Sequence, residues 1–292
     1  MERGRRPGAG GELTVAAEDV LHPALLRAAA AGVAAANDAR ARHDRAELAA
    51  SVGRGADGTA TMRIDEIVEA AILAVTGDVN VLSEECGWLD RGSAYTVVLD
   101  PLDGSANAAA GVPLSAFSAA LVDDGAFTQA LTVWTETGSR WWAVAGAGSS
   151  GLRTSGRTEL PGAAVSLLRP HPANATAAAA WWRAASAAGR VRVLSSSCLE
   201  AALVATGATD AFADACTDTH RLVDLAAAVV LLDAAGGAVR DVHGRPLEFD
   251  TDLTRRWSGV VAATPELADD LAALLADPPR SPQGTARRRP PS

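Results

Sequence analysis

Residues 97–105 read Val97-Val98-Leu99-Asp100-Pro101-Leu102-Asp103-Gly104-Ser105, and this stretch is the most informative part of the chain. Its apolar start predicts a buried strand that ends at Asp100. Pro101 fixes a turn, and Asp103-Gly104 reverses the chain towards a segment whose first N–H groups are free to bind a phosphate. Two carboxylates three positions apart, with the Leu102 carbonyl between them, can converge on Mg²⁺ or Mn²⁺.

Two further acidic residues, Glu84 and Glu85, follow the apolar run Val79–Leu82, which predicts a neighbouring strand. They could supply a bridging metal ligand at the same edge of the sheet. Asp-Pro and Asp-Gly pairs also occur in ordinary turns, so residues 100–104 alone leave a purely structural turn open. The combination of two acidic strand ends favours a metal site.

The spacing of the acidic residues around Asp100 indicates which kind of nucleophile could attack a phosphate ester. Enzymes with an aspartyl nucleophile use Asp-x-Asp, whereas this chain has Asp-x-x-Asp with a proline after the first acid. The sequence has no Gly-x-Ser-x-Gly elbow, and neither Cys86 nor Cys198 begins a Cys-x5-Arg loop. A metal-activated water is the remaining nucleophile for a phosphate ester.

Composition narrows the function classes further. All 26 basic residues are arginine, so Schiff-base chemistry and nucleotide loops that need a Gly-Lys step are excluded. A net charge of −9 argues against nucleic acid as a partner. No apolar run approaches the ~20 residues of a membrane span, so no membrane partner is expected. The three widely spaced cysteines predict a reduced, cytoplasmic location.

The hydrophobic pattern predicts mixed α and β structure. In the first half we expect helices over 18–36 and 64–75 around a polar loop or hairpin, strands near 79–82 and 95–99, a hairpin over 116–135, and a strand over 141–145. In the second half, predicted strands at 163–168, 191–194, 209–214, 238–242 and 258–262 alternate with helices at 174–187, 197–206, 224–235 and 265–275. This alternation predicts a sheet covered by helices on both faces.

The domain prediction follows composition. Residues 1–12 and 277–292 are rich in glycine, proline and arginine and are predicted to be disordered. A glycine- and serine-rich stretch at 146–156 marks the boundary between two lobes. We therefore predict an N-terminal metal-binding lobe over 13–157 and a C-terminal α/β lobe over 158–276.

Three stretches together carry a family resemblance. SEEC (83–86) followed by VVLDPLDGSAN (97–107), with LVDLAAAVVLLDAAGG (222–237) in the expected order, resembles the inositol monophosphatase superfamily of lithium-sensitive, magnesium-dependent phosphatases. The stretch from GADGTATMRID (55–65) through GVPLSAFSAALV (111–122) looks most like the branch that acts on both inositol phosphates and fructose bisphosphate. The resemblance spans about residues 53–237 and implies a layered α-β-α-β-α sandwich.

The resemblance also implies a metal-ligand set. Glu84, Asp100 and the Leu102 carbonyl would hold one Mg²⁺, and Asp100, Asp103 and Asp224 a second; a third, weaker ion would lie near Glu84. Asp224 alone would be interpreted as a helix N-cap.

Catalytic and substrate roles are implied in the same way. Glu84 and Ser105 would orient and deprotonate the attacking water, with Asp65 hydrogen-bonded to the Ser105 hydroxyl. The N–H groups of Gly104 and Ser105, beside Asp103, would hold the phosphate, and the substrate hydroxyls would face Ser196, Ser197 and Asp214. Arg221 would meet a second phosphate, or would simply be a solvent-facing arginine. The chain departs from the family pattern at Ser195, at Val223 and at the position of a family lysine, which is either Arg54 or Met62 here. These departures leave the metal ligands intact but leave open which ring the substrate carries.

The resemblance predicts a phosphoric monoester hydrolase that acts on a small phosphorylated polyol, sugar or nucleotide. Inositol 1-phosphate or a related sugar phosphate is the first substrate hypothesis; fructose 1,6-bisphosphate, histidinol phosphate and 3′-phosphoadenosine 5′-phosphate are the alternatives. A non-catalytic metal-binding paralogue is a different class of function. A homodimer is expected, and the tryptophan pairs 141–142 and 181–182 are predicted to lie in the core or at its interface.

Overall fold

The structure, a computed structural model, describes residues 20–171 and 173–276. The two tails predicted to be disordered, 1–12 and 277–292, lie outside these residues, as does the predicted start of the first helix at Glu18. None of the helices within the described residues combines the length and apolar content that a membrane crossing needs.

The described residues form eight helices and fourteen strands. The helices are α1 (Pro23–Arg42), α2 (Arg45–Leu48), α3 (Arg63–Leu73), α4 (Ser105–Ala110), α5 (Ala175–Ala187), α6 (Ser197–Ala205), α7 (Leu222–Ala235) and α8 (Pro265–Ala276). The strands are β1 (Ser51–Arg54), β2 (Ala60–Met62), β3 (Asn80–Ser83), β4 (Gly87–Leu89), β5 (Tyr95–Asp103), β6 (Ala116–Asp123), β7 (Ala126–Trp134), β8 (Arg140–Val144), β9 (Gly148–Ser149), β10 (Ala164–Leu167), β11 (Arg190–Arg192), β12 (Ala211–Ala213), β13 (Ala238–Asp241) and β14 (Gly259–Ala262).

Two large sheets organise these elements. The first has the order β4-β3-β5-β6-β7-β8-β9, in which β3 and β5 are parallel and every other neighbouring pair is antiparallel. The second has the order β11-β10-β12-β14-β13, in which β10 is parallel to both of its neighbours. Strands β1 and β2 form a separate hairpin.

Helices fill three layers around the two sheets. Helices α1 and α3 pack against the outer face of the seven-stranded sheet, and α5 and α8 against the outer face of the five-stranded one. Helices α6 and α7 lie between the sheets. Helix α7 is apolar on nearly every side and 11 of its 14 residues are buried, as expected for a helix enclosed by two sheets. The predicted α-β-α-β-α sandwich is confirmed.

The element predictions were least accurate near the N-terminus. Helix α1 begins at Pro23, where the missing N–H costs nothing, and continues to Arg42 instead of ending at Ala36. The segment predicted as a polar loop therefore holds the last turns of α1, the short helix α2 and the β1–β2 hairpin. The hairpin over 116–135 and the strand and helix order of the second half are confirmed. The lobe boundary at residues 157/158 stays a prediction.

Candidate active site

The acidic residues lie where two parallel strands end. Asp100 and Asp103 lie at the end of β5, and the register of its pairing with β6 shifts between these two residues. Glu84 directly follows β3, which pairs in parallel with β5, so the three side chains reach the same sheet edge. Carboxylate oxygens of Asp100 and Asp103 lie within 4.8 Å of each other.

These carboxylates are buried or partly buried and repel one another. Asp100 is 2% exposed, and burial, with the charges of Glu84, Asp103 and Asp224, raises its pKa well above the usual range. Burial likewise raises the pKa of Glu84 to about 8, although the Arg221 guanidinium opposes that shift. Four carboxyl groups from three segments therefore share a region of low dielectric. They can all be ionised there only when cations neutralise their charge.

The turn after Asp103 brings the backbone close to its neighbours. Gly104 has φ +81°, and a Cβ there would lie 2.7 Å from the Leu114 carbonyl oxygen and 3.2 Å from the Ser196 Cβ. Only glycine fits this close, left-handed position without strain. Helix α4 begins at the next residue, so its first N–H groups are at the turn, as the sequence predicted.

Ser105 joins the turn to α3. Its hydroxyl donates to the Leu102 carbonyl at 2.8 Å and also interacts with the Asp65 carboxylate. Because a hydroxyl carries one proton, it can be fully donated to only one acceptor at a time. Asp65 accepts from the Met62 amide at 3.1 Å, so it caps α3 as well. Burial raises the Asp65 pKa, and the hydrogen bonds from Ser105 and Met62 oppose the rise.

The start of α6 holds Asp103 in place. The Ser196 hydroxyl and the N–H groups of Ser197 and Cys198 all donate to its carboxylate, the last at 2.8 Å. Ser196 is 1% exposed, so its hydroxyl positions Asp103 and cannot reach a substrate hydroxyl as predicted. The Ser197 N–H shares in this bonding of Asp103, and the predicted contact of Ser197 with a substrate hydroxyl stays a prediction.

Asp224 meets Arg221 at the first turn of α7. The Arg221 amide donates to Asp224 Oδ2 at 2.6 Å, which is the helix-capping contact. The guanidinium donates to both oxygens of the same carboxylate, from Nη2 at 2.9 Å and from Nε at 3.1 Å. The Arg221 side chain is 15% exposed, so the interpretation as a solvent-facing arginine is wrong.

Asp214 lies in a different environment from the one predicted. It is fully buried, and its oxygens accept from the Thr217 amide and hydroxyl and from the Thr219 amide. Because both oxygens are bonded within residues 214–219, the carboxylate shapes this loop. The predicted contact between Asp214 and substrate hydroxyls is therefore corrected to a structural role.

Sequence reasoning assigned no role to Asp57, although it stands in the quoted GADGT motif. Its buried carboxylate accepts from Arg221 Nη1 at 2.8 Å, and its carbonyl accepts from Arg256 Nη2 at 3.0 Å. Glu85, which the sequence offered beside Glu84 as a bridging metal ligand, accepts from the Thr61 hydroxyl, and burial raises its pKa to about 7. Only the motif itself could have indicated Asp57, because its partners lie far away in sequence.

The donor set suits a hard divalent cation. The Cys198 thiol lies with Asp100 and Asp103, but burial and the neighbouring carboxylates raise its pKa well above the usual range, so it stays neutral. The remaining donors are carboxylate and carbonyl oxygens, which Mg²⁺ and Mn²⁺ prefer to thiols. A cavity of about 540 Å³ lies beside the other end of α7, against Val230, Asp233 and Val239, and includes none of these donors.

Comparison with known proteins gives consistent matches. The sequence model for the "Inositol monophosphatase family" matches residues 9–278. The chain is 33% identical over 242 residues to a "Fructose-1,6-bisphosphatase/inositol-1-monophosphatase" of Thermococcus kodakarensis, covering 78% of this chain and 88% of that protein. It is 32% identical over 248 residues to a protein of the same name from Methanothermobacter thermautotrophicus, covering 76% and 85% of the two chains.

Solved structures agree with the fold. One described as an inositol monophosphatase-fructose 1,6 bisphosphatase superposes with a TM-score of 0.72 at 28% identity, covering 82% of this chain and 95% of that one. The extragenic suppressor protein suhB from Bartonella henselae gives a TM-score of 0.73 at 22% identity, covering 87% and 97%, and shows a likeness of fold alone.

Proposed function

This chain belongs to the inositol monophosphatase family and is a phosphoric monoester hydrolase of sugar phosphates, and from that premise we propose that it acts with Mg²⁺ at the carboxylate cluster of β3, β5 and α7. The observation that carries the proposal is the convergence of four carboxylates, two of them buried and two partly buried, beside the Ser105–Asp65 pair.

The proposed ligands are those of the family pattern. Glu84, Asp100 and the Leu102 carbonyl would hold one cation, and Asp100, Asp103 and Asp224 a second; a third, weaker ion near Glu84 is part of the proposal. When bound, such cations neutralise phosphoryl oxygens and make a water molecule more acidic. Mn²⁺ is an alternative ion with the same preference for oxygen donors.

The chain's own groups orient the reactants. We propose that Glu84 and the Ser105 hydroxyl position the attacking water, while Asp65 orients the Ser105 hydroxyl. The N–H groups of Gly104 and Ser105 would hold the phosphoryl oxygens as the charge on them changes. In the reaction the water oxygen bonds to phosphorus, the ester P–O bond breaks, and the departing alkoxide takes a proton to leave as the alcohol.

Inositol 1-phosphate or a related sugar phosphate is the first substrate proposed. Fructose 1,6-bisphosphate is the second, because the relatives from Thermococcus and Methanothermobacter are named for both activities. The Arg221 donors are already bonded to carboxylates of the chain, so the structure does not support the earlier assignment of this residue to a second phosphate.

The test is phosphate release with Mg²⁺ from inositol 1-phosphate and fructose 1,6-bisphosphate, with histidinol phosphate and 3′-phosphoadenosine 5′-phosphate measured beside them. Turnover of the first substrate with the highest kcat/KM supports the proposal. Higher kcat/KM for the bisphosphate supports the second candidate, and release from none of the four contradicts both.

A cytoplasmic homodimer is also proposed. Trp182 on α5 is 68% exposed, unlike the buried Trp142, and a large exposed aromatic supports a role at an interface between subunits. Light scattering of wild-type protein and Trp182→Ala tests this: a wild-type dimer that dissociates in the variant supports it, and a wild-type monomer contradicts it.

A further inference from the structure

Arg221 connects three carboxylates that belong to distant parts of the chain. Its Nη1 contacts Glu84 and lies 2.8 Å from Asp57 Oδ2, while Nη2 and Nε bond to the two oxygens of Asp224. The side chains of Asp57 and Asp224 are 0% and 5% exposed, so both pairs are shielded from solvent. A buried, bidentate guanidinium–carboxylate pair is among the stronger ionic contacts in proteins.

Two of the three partners are proposed metal ligands. Both oxygens of Asp224 accept hydrogen bonds from the guanidinium, and Oδ2 accepts from the Arg221 amide as well. A divalent cation on Glu84 would compete with Arg221 for that carboxylate, and a second cation on Asp224 would compete for oxygens that already accept from the guanidinium. Because an arginine side chain stays charged at all working pH values, it cannot give way by losing its proton and must be displaced.

We infer that Arg221 is a tethered cation that competes with divalent metals for Glu84 and Asp224 and so sets the metal affinity of the site. The inference rests on the proposed metal dependence and goes beyond it by naming the residue that limits affinity. The measured affinity for a metal is the affinity of the released site multiplied by the fraction of molecules in which Arg221 is released.

Because Arg221 also contacts Asp57, its displacement by a metal should affect the β1–β2 hairpin. Asp57 shares the Nη1 group with Glu84, and Arg256 binds the Asp57 carbonyl from the other side. Release of Arg221 therefore removes an arginine that ties this hairpin loop to the start of α7. Metal binding should loosen the loop's attachment to α7 while the Arg256 contact stays.

A purely structural role for Arg221 makes the opposite prediction. If the guanidinium only supported the ligands, its removal would disorder Glu84 and Asp224 and would weaken metal binding. Calorimetric titration with Mg²⁺ separates the two roles without any assay of activity. Arg221→Met removes the charge and keeps much of the side-chain volume, and Arg240→Met, which breaks an exposed pair with Asp269, is the matched control.

We expect Arg221→Met to bind Mg²⁺ at least tenfold more tightly than wild type, with Arg240→Met unchanged. The rise in Tm on adding Mg²⁺ should also be larger in Arg221→Met, because its metal-free form leaves the carboxylates without a counter-ion. Asp57→Asn keeps Arg221 but removes one anchor and should tighten Mg²⁺ binding severalfold. It serves as the deciding variant if Arg221→Met does not fold.

Unchanged or weaker Mg²⁺ binding by folded Arg221→Met overturns the inference. If Arg221→Met does not fold, unchanged or weaker Mg²⁺ binding by Asp57→Asn overturns it. Failure of the proposed function gives a different result: wild-type protein then shows neither binding heat nor a rise in Tm with Mg²⁺ or Mn²⁺.

Discussion

Nη1 of Arg221 lies 2.8 Å from Oδ2 of Asp57, although 164 positions separate the two residues in sequence. The contact joins the β1–β2 hairpin to the first turn of α7. Arg256 approaches the same carboxylate at 3.7 Å from a third segment. The electrostatics of the active site therefore depend on contacts between both halves of the chain, and the substitutions below separate these contributions.

Asp100→Asn should abolish turnover and leave the fold intact. Both proposed cations use this carboxylate, so a neutral amide weakens both together, and a loss on the order of a thousandfold or more in kcat/KM is expected. Because burial and the charges of Glu84, Asp103 and Asp224 disfavour a negative charge at this position, the metal-free form of the neutral variant should be at least as stable as wild type. Phosphate release and thermal unfolding measure the two effects.

The control for Asp100→Asn is Asp233→Asn, an exposed carboxylate on the far end of α7, which should behave as wild type. Activity near the wild-type level in folded Asp100→Asn would refute the metal-ligand assignment.

Removal of metals should abolish activity and lower stability together. A chelator leaves the four clustered carboxylates to repel one another, so Tm should fall when it is added and rise when Mg²⁺ is restored. With increasing Mg²⁺ the rate should rise and then decline as a weaker site fills, and Li⁺ should inhibit. Activity that is insensitive to a chelator would contradict the whole mechanism; insensitivity to Li⁺ alone would contradict only that prediction.

Ser105→Ala should lower kcat about a hundredfold, because the hydroxyl between Leu102 and Asp65 no longer orients the attacking water. Ser105→Thr keeps the hydroxyl and should stay within a few fold of wild type. Steady-state kinetics on the preferred substrate distinguishes the pair. Equal rates for the alanine and threonine variants would show that the hydroxyl has no part in the reaction.

Local pattern was sufficient for most of the fold and for placing Glu84 and Asp100 at one edge of the sheet. The apolar runs before Glu84 and Asp100 predicted adjacent strands because buried strands have a distinctive composition. The pattern could not reveal that the Ser196 hydroxyl points at Asp103, that Asp214 turns into its own loop, or that Arg221 binds Asp57. Those features depend on side-chain direction and on long-range packing, which residue spacing does not encode.

Glu200 should make the stability of the protein depend on pH. It is buried on α6, accepts from the Leu194 and Ser196 amides at 3.3 Å each, and its pKa is raised to about 7, chiefly by burial. Between pH 4.5 and 7 the folded protein therefore keeps a proton that the unfolded chain has lost, so stability falls as pH rises through this window. One group contributes at most about 1.4 kcal/mol per pH unit.

Glu200→Gln cannot titrate and should flatten that dependence. Urea unfolding at pH 5 and pH 7 in the presence of a chelator measures it, with the exposed Glu248→Gln as the control. Because Glu84 and Glu85 also have raised pKa values, only the difference between variant and wild type reports on Glu200. Identical slopes for Glu200→Gln and wild type would contradict the assignment.

Gly104→Ala should be far more damaging than Gly111→Ala, although both glycines have positive φ. At Gly111, with φ +73°, a Cβ meets nothing within 4 Å, so only backbone strain of roughly 1 kcal/mol is expected. At Gly104 the same strain is joined by a contact of 2.7 Å with the Leu114 carbonyl, and overpacking adds roughly 1–3 kcal/mol. The turn must then move, which displaces Asp103 and Ser105.

We therefore expect Gly104→Ala to lose both stability and nearly all activity, measured by urea unfolding and phosphate release, while Gly111→Ala stays active. Equal losses of stability and activity in the two variants would show that close packing against Leu114 does not hold the turn in its working geometry.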